Sequence, residues 1–204
     1  MNYAKGDFSN AQIELEKVRE KISPGLWHFN MGTLKAKMSS PAEARFHFLE
    51  ARLHGFTEKQ LNQNLELVET QLNIISLEKP LEVADYAMKA GMWSQNGFFT
   101  MLSLLILVIG MITLKKERKH SVLFITIILT LIPFGLHFWV KSWDKYITLT
   151  ALEVREGPSV IFGLRGELPD GVLVITRKSG EWREIIYPSR FRGWIKNAGL
   201  KELE

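Results

Sequence analysis

Side-chain chemistry needs nucleophiles, acid–base groups or metal ligands at particular spacings. The chain has no cysteine, which excludes disulfides, cysteine-ligated zinc and thiol catalysis and is compatible with an oxidising compartment. Histidine is the next candidate. His47 and His54 stand seven apart on one helical face, but no Asp, Glu or His partner at a ligand spacing is evident for them. They and His28 are therefore expected to be surface histidines. His137 lies within four residues of Lys141 at the end of an apolar run and reads as a boundary residue that reaches toward water. There is no HExxH, no phosphate-binding glycine loop, no Ser-His-Asp set and no carboxylate pair that can be placed in a pocket. The inventory points to binding, with no catalytic, cofactor-binding or metal residue expected.

The elements that would position any binding surface are organised around residues 97–140. Residues 97–114 (GFFTMLSLLILVIGMITL) carry no formal charge, and residues 121–140 (SVLFITIILTLIPFGLHFWV) contain only His137 as an ionisable group. A helix needs about 17–25 mostly apolar residues to cross about 30 Å of hydrocarbon. Both runs qualify, and neither keeps the polar stripe of a soluble core helix. Between them, in residues 115–120, stand Lys115, Lys116, Arg118 and Lys119. Such a short basic turn is expected on the cytoplasmic side, which puts everything before and after the hairpin on the other side. Trp93, Phe98 and Phe99 flank the first run, and Phe138, Trp139, Trp143 and Tyr146 the second, as an interfacial aromatic belt would. Pro133 and Gly135 are expected to kink the second helix.

The net charge of +4 dissolves when divided by segment. Residues 1–90 carry 11 basic and 12 acidic side chains, the turn contributes +3, and residues 141–204 carry 11 basic and 9 acidic. Neither flank is basic enough to bind nucleic acid. The start, Met1-Asn2-Tyr3-Ala4-Lys5-Gly6, is not a secretory signal, although this topology sends about 90 residues across the membrane. More sequence, with a signal peptide, is expected upstream of Met1.

Residues 1–79 read as helices near 9–22, 25–37, 41–53 and 57–76. Ser40-Pro41-Ala42-Glu43 and Thr57-Glu58-Lys59-Gln60 read as capping boxes, and Gly55 as the stop of the helix between them. Leu61, Leu65, Val68, Leu72 and Ile75 recur at helical spacing. A self-similarity runs at a period of 33: Gly6-Asp7-Phe8-Ser9-Asn10-Ala11 aligns with Ser39-Ser40-Pro41-Ala42-Glu43-Ala44. Asn30 and Gly32, followed by Ala44, Phe48 and Ala51, resemble the tetratricopeptide repeat. That resemblance implies that the small Gly32 and Ala44 let paired helices approach while Phe48 fills the gap. It also implies a concave peptide-binding side bearing Phe29, Asn30, Thr33 and Lys37. Ser39 stands where the turn glycine is expected, and the first repeat lacks its first helix.

Residues 80–96 read as an amphipathic segment leading to the membrane. After the hairpin the periodicity becomes that of strands, at 149–155, 172–176, 182–186 and 193–196. The pieces Val154-Arg155-Glu156-Gly157-Pro158-Ser159, Leu168-Pro169-Asp170-Gly171, Gly180-Glu181-Trp182 and Gly193-Trp194-Ile195, with Leu200, resemble the bacterial SH3-like domain over residues 147–204. The resemblance implies a small closed barrel with Trp182 and Trp194 filling its core. Its ligand or partner contacts would come from Arg155, Glu156 and Ser159.

In this order the parts resemble BatE-type proteins of the bacterial aerotolerance (Bat) operon. The fold class expected is a multidomain membrane protein: tetratricopeptide-like helices, a transmembrane hairpin and a small all-β barrel. The resemblance implies a two-pass inner-membrane protein with both soluble domains extracytoplasmic. Its partners would be other Bat-type membrane proteins, namely von Willebrand factor A-domain proteins, and a MoxR-type AAA+ ATPase system. The function expected is a non-enzymatic scaffold in an envelope or stress-tolerance complex. The alternative is a sensor or tether that binds peptidoglycan through the SH3-like domain.

Overall fold

The computed structural model describes residues 6–92, 98–117 and 120–203. Trp93, Arg118 and Lys119, and the side chain of Lys116, lie outside the described residues. The contacts divide the chain into two compact units, Met1–Leu81 with Asp144–Glu204, and Glu82–Trp143.

The first unit begins with helices α1 (Phe8–Lys17), α2 (Pro24–Lys37), α3 (Pro41–Leu53), α4 (Lys59–Gln71) and α5 (Ile74–Leu77). Asp7 and Ser23 cap the first two, their side-chain oxygens accepting from the N–H groups of Asn10 and Leu26. The two capping boxes expected from sequence do not form. Ser40 sits at the N-cap of α3 without a side-chain capping bond, and Glu43 pairs with Lys35 at 2.6 Å instead. At α4 the N-cap is Glu58, again without a side-chain capping bond. At α3, Pro41 at the first helical position sets the helical φ without a side-chain cap. The helix expected over 57–76 is broken at Asn73, whose φ of 55° is a left-handed conformation that asparagine tolerates. Gly55, at φ 80°, ends α3 as expected. Ser39 has φ 57°, so a serine occupies the left-handed turn position that glycine would fill more easily.

α2 and α3 pack closely on each other. A Cβ added at Gly32 would lie 2.7 Å from the Phe48 ring and 3.2 Å from the Ala44 carbonyl oxygen. Phe48, Ala44 and Ala51 are fully buried beside it. Removing the Cβ at one position lets an aromatic ring fill the seam at the density of a protein interior.

A seven-stranded antiparallel sheet completes this unit: β1 (Asp144–Thr148), β2 (Leu152–Arg155), β3 (Leu164–Leu168), β4 (Leu173–Ser179), β5 (Trp182–Tyr187), β6 (Gly193–Lys196) and β7 (Leu200–Glu202). Their order is β3-β2-β6-β5-β4-β1-β7, with register shifts in β2 and β4. Strands β1, β3 and β7 were not expected from sequence. β3 is exposed on four of its five residues, and β7 is three residues long, so neither shows the half-buried alternation that marks a strand. Val154, Leu168, Val172, Val174, Ile185 and Ile195 pack the sheet core together with Ile74 of α5. Trp182 and Trp194 are only half-buried, contrary to their expected place in the core; Lys196 lies over the Trp182 ring. Aliphatic side chains fill so small a space without an indole N–H to satisfy.

Helices and sheet meet through a buried polar network. The Arg45 guanidinium donates to Glu69, to both oxygens of Glu78 and to the Gly171 carbonyl at 2.6–3.1 Å. Glu78 also accepts from the Leu173 N–H at 2.6 Å, and the Tyr187 hydroxyl donates to the Glu78 carbonyl. Residues on either side of the hairpin thus share one interior.

The second unit holds α6 (Val83–Met92), α7 (Phe98–Glu117) and α8 (His120–Lys141). α7 and α8 are long and apolar enough to cross a membrane, over Phe98–Lys115 and His120–Val140. They pack on each other through small and hydroxyl residues. Gly110 lies directly against Thr126, and the Ser103 hydroxyl donates to the Thr130 carbonyl at 3.1 Å. Leucines, isoleucines and phenylalanines cover the outward faces. Helices in lipid associate in this way, since packing and hydrogen bonding replace the hydrophobic drive between them. α8 runs through Pro133 as one element.

Candidate functional site

Two of the concave sites formed by described residues of the first unit bear on function. One is a groove of about 400 Å³, lined by Leu15 of α1, Phe29, Asn30 and Thr33 of α2, and Gln60 and Asn64 of α4. Asn30 and Thr33 come one turn apart, and the helical period puts both on the face that α1 and α4 flank. Phe29 is held by ring stacking on Phe56, with centroids 4.7 Å apart, and lies near Phe48. Thr33 donates back to the Phe29 carbonyl at 2.9 Å. The described lining carries no charged side chain. Its chemistry is an apolar floor with three carboxamides, each able to donate and accept, which matches the paired N–H and C=O groups of a peptide backbone.

Three of the four residues assigned to the concave side therefore line one groove. Lys37 does not; it is exposed at the end of α2. Gln60 and Leu15 were not expected in the groove, because their helices join α2 only through packing between segments whose spacing encodes no contact.

The residues expected to contact a ligand from the sheet behave differently. Arg155 is committed to its own loop: its guanidinium donates to the carbonyls of Val160 and Phe162 at 3.0 Å and to Glu153 at 2.6 Å. The Ser159 hydroxyl accepts from the Ile161 N–H, and the Glu156 N–H donates to Gly163. Gly157 is buried under the Phe162 ring, where a Cβ would come within 2.6 Å, and Pro158 follows it on the exposed side. Gly193 is likewise buried, against Val154. This loop presents outward Glu156 together with the apolar Val160, Leu164 and Ile161, the last 86% exposed.

No protein-family model, curated protein or solved structure matches this chain.

The second site is a cavity of about 540 Å³ bordered by Trp27, His28, His47, Glu50 and Lys201. His28 of α2 meets His47 of α3 with Nδ1 atoms 3.1 Å apart, and the His28 ring stacks on His54. His54 Nε2 is 3.4 Å from Glu50 Oε2. Burial, aided by neighbouring cations, lowers the pKa of His28 to about 4 and that of His47 to about 2. Both imidazoles are neutral at physiological pH. These histidines are neither scattered nor all at the surface, contrary to expectation: His47 is buried and His28 half-buried. Glu50, four residues before His54, is a carboxylate partner at helical spacing, contrary to the expectation of none. Only helix pairing brings in His28, 22 residues before Glu50.

Proposed function

We propose that this chain is a non-enzymatic, membrane-anchored adaptor that holds a peptide segment of a partner protein in the groove between α1, α2 and α4. The observation that carries this reading is the lining itself. Phe29, Asn30 and Thr33, the residues that a tetratricopeptide pattern assigns to its concave side, converge with Gln60 and Asn64 on one uncharged groove. Carboxamides facing an apolar floor hold a backbone without demanding a charged ligand. The Gly32–Phe48 seam supports the tetratricopeptide-like reading of α2 and α3. The seven short strands support an SH3-like reading of residues 147–204.

The anchor is the α7–α8 hairpin. A single compact unit built from residues before and after it can occupy only one side of a membrane, which supports a two-pass arrangement. With the basic turn in the cytoplasm and the hairpin in the bacterial inner membrane, that unit is extracytoplasmic. The order of parts resembles the BatE type. On that resemblance the partners are von Willebrand factor A-domain membrane proteins of a Bat-type complex, coupled to a MoxR-type AAA+ ATPase.

The test uses the full chain in nanodiscs and the soluble domain of such a partner. Thr33→Trp fills the groove and should weaken binding at least about tenfold, or ~1.4 kcal/mol, with an unchanged melting curve. Equal affinity for both forms would sink the groove. The tether alternative makes a different demand: saturable binding to isolated sacculi that survives Thr33→Trp and is lost with Ile161→Asp in the β2–β3 loop.

A further inference from the structure

We propose that His28, Glu50 and His54 form a binding site for one divalent transition-metal ion of the zinc class. Each offers one ligand atom, and the three atoms lie within 4.8 Å of one another. Two are already at coordination spacing. Bonds of about 2.0–2.1 Å in a tetrahedral zinc site put neighbouring ligand atoms about 3.3 Å apart. His54 Nε2 and Glu50 Oε2 are 3.4 Å apart. Their i, i+4 spacing on α3 is what aligns them one turn apart on one face.

His28 closes the triad from α2. Its Nδ1 is occupied by His47 at 3.1 Å, so Nε2 is the nitrogen left for the ion. That pairing is the outer-shell bond that ligating histidines make through their second nitrogen, and it orients the ring and sets the tautomer. His47 is therefore a positioning residue. The His28 and His54 rings stack with centroids 5.4 Å apart, a separation that two imidazoles converging on one ion can keep.

Burial grades across the site. Glu50 is buried, His28 half-buried and His54 exposed, so the site is closed on the protein side and open to solvent on the other. Three protein ligands with one open position is the arrangement of an exchangeable, water-bearing zinc site, and two imidazoles with one carboxylate suit zinc better than calcium or magnesium. Of the surrounding cations, Lys145 and Lys201 face the Glu50 carboxylate, which draws positive charge to this position as an ion would require. Arg19 lies over the Trp27 ring at 4.7 Å, Lys201 over the Phe46 ring at 4.2 Å, and Lys35 is paired with Glu43. The carboxylates of Glu16, Glu50 and Glu202 border the same cavity.

The experiment uses the full chain without an affinity tag, purified in detergent, stripped by chelator and titrated with Zn²⁺ in equilibrium dialysis. Co²⁺ is titrated in parallel, because its visible absorption reports a tetrahedral nitrogen–oxygen site. The wild-type chain should take up one ion at micromolar concentration or tighter. His54→Gln, on the exposed side where it disturbs packing least, should weaken uptake at least about tenfold. Glu50→Gln should do the same with circular dichroism unchanged, while His120→Gln should bind as the wild type does. No uptake by the wild-type chain, or equal uptake by wild type and His54→Gln, overturns the site.

Discussion

Arg45 carries a heavy demand at the junction of helices and sheet. It is 2% exposed, and two carboxylates and a carbonyl surround its guanidinium. Burial by itself would lower its pKa, but Glu78 and Glu69 more than offset this, and it stays charged. Glu78 in turn holds the Leu173 N–H, so one ion pair fastens α3, the end of α5 and β4. Removing one partner from such a pair strands the other charge in a dry interior. Arg45→Met should therefore destabilise the chain by about 3–5 kcal/mol, read from denaturant unfolding followed by circular dichroism. Arg45→Met with Glu78→Gln should recover part of that loss; a double variant no better than the single one refutes the network as the cause. At this scale Gly32, Ala44 and Phe48 were legible, because close helix approach requires small residues opposite a large one. Arg45 was not. A charged residue amid a helical pattern reads as solvated until its partners, 24 and 33 residues away, are seen beside it.

Among the elements, the long apolar helices were the most legible and the edge strands the least. Residues 97–114 and 121–140 declared α7 and α8 by their length and lack of charge, whereas β3 and β7 have too few buried positions to alternate. Sequence length does not reveal how α7 and α8 meet. Gly110 against Thr126 and Ser103 against the Thr130 carbonyl form a seam of small residues, with the bulky side chains turned outward. Overfilling a packed seam costs about 1–3 kcal/mol. Gly110→Leu should part the helices and abolish zero-length crosslinking between cysteines introduced at positions 103 and 130. Leu104→Ala, on an outward position, should leave the crosslink intact. Crosslinking that persists in Gly110→Leu would show that the seam does not hold the hairpin.

At the scale of the whole molecule, the decisive relation is between the hairpin and the ends it joins. Residues 1–81 and 144–204 share one interior, so a membrane crossed twice must leave both on one face. Compartment reporters fused after Lys79 and after Glu204 should agree with each other and disagree with one placed in the 115–120 turn. Disagreement between the two end reporters would mean that the shared interior cannot form in the cell. If the two agree but both report cytoplasm, the orientation is inverted and the proposed partners fall. Sequence by itself determined what is periodic or compositional: two membrane-length apolar runs, their basic turn, the helical period before them and the short strands after. These are local properties, encoded in neighbouring residues by the pitch of a helix or the pleat of a strand. Tertiary structure alone decided which distant residues meet. It brought Gln60 and Asn64 to Phe29, His28 to Glu50, and Arg45 to Glu78 and Gly171. Such pairings arise when apolar faces find one another, and only then do the polar groups at their margins acquire partners.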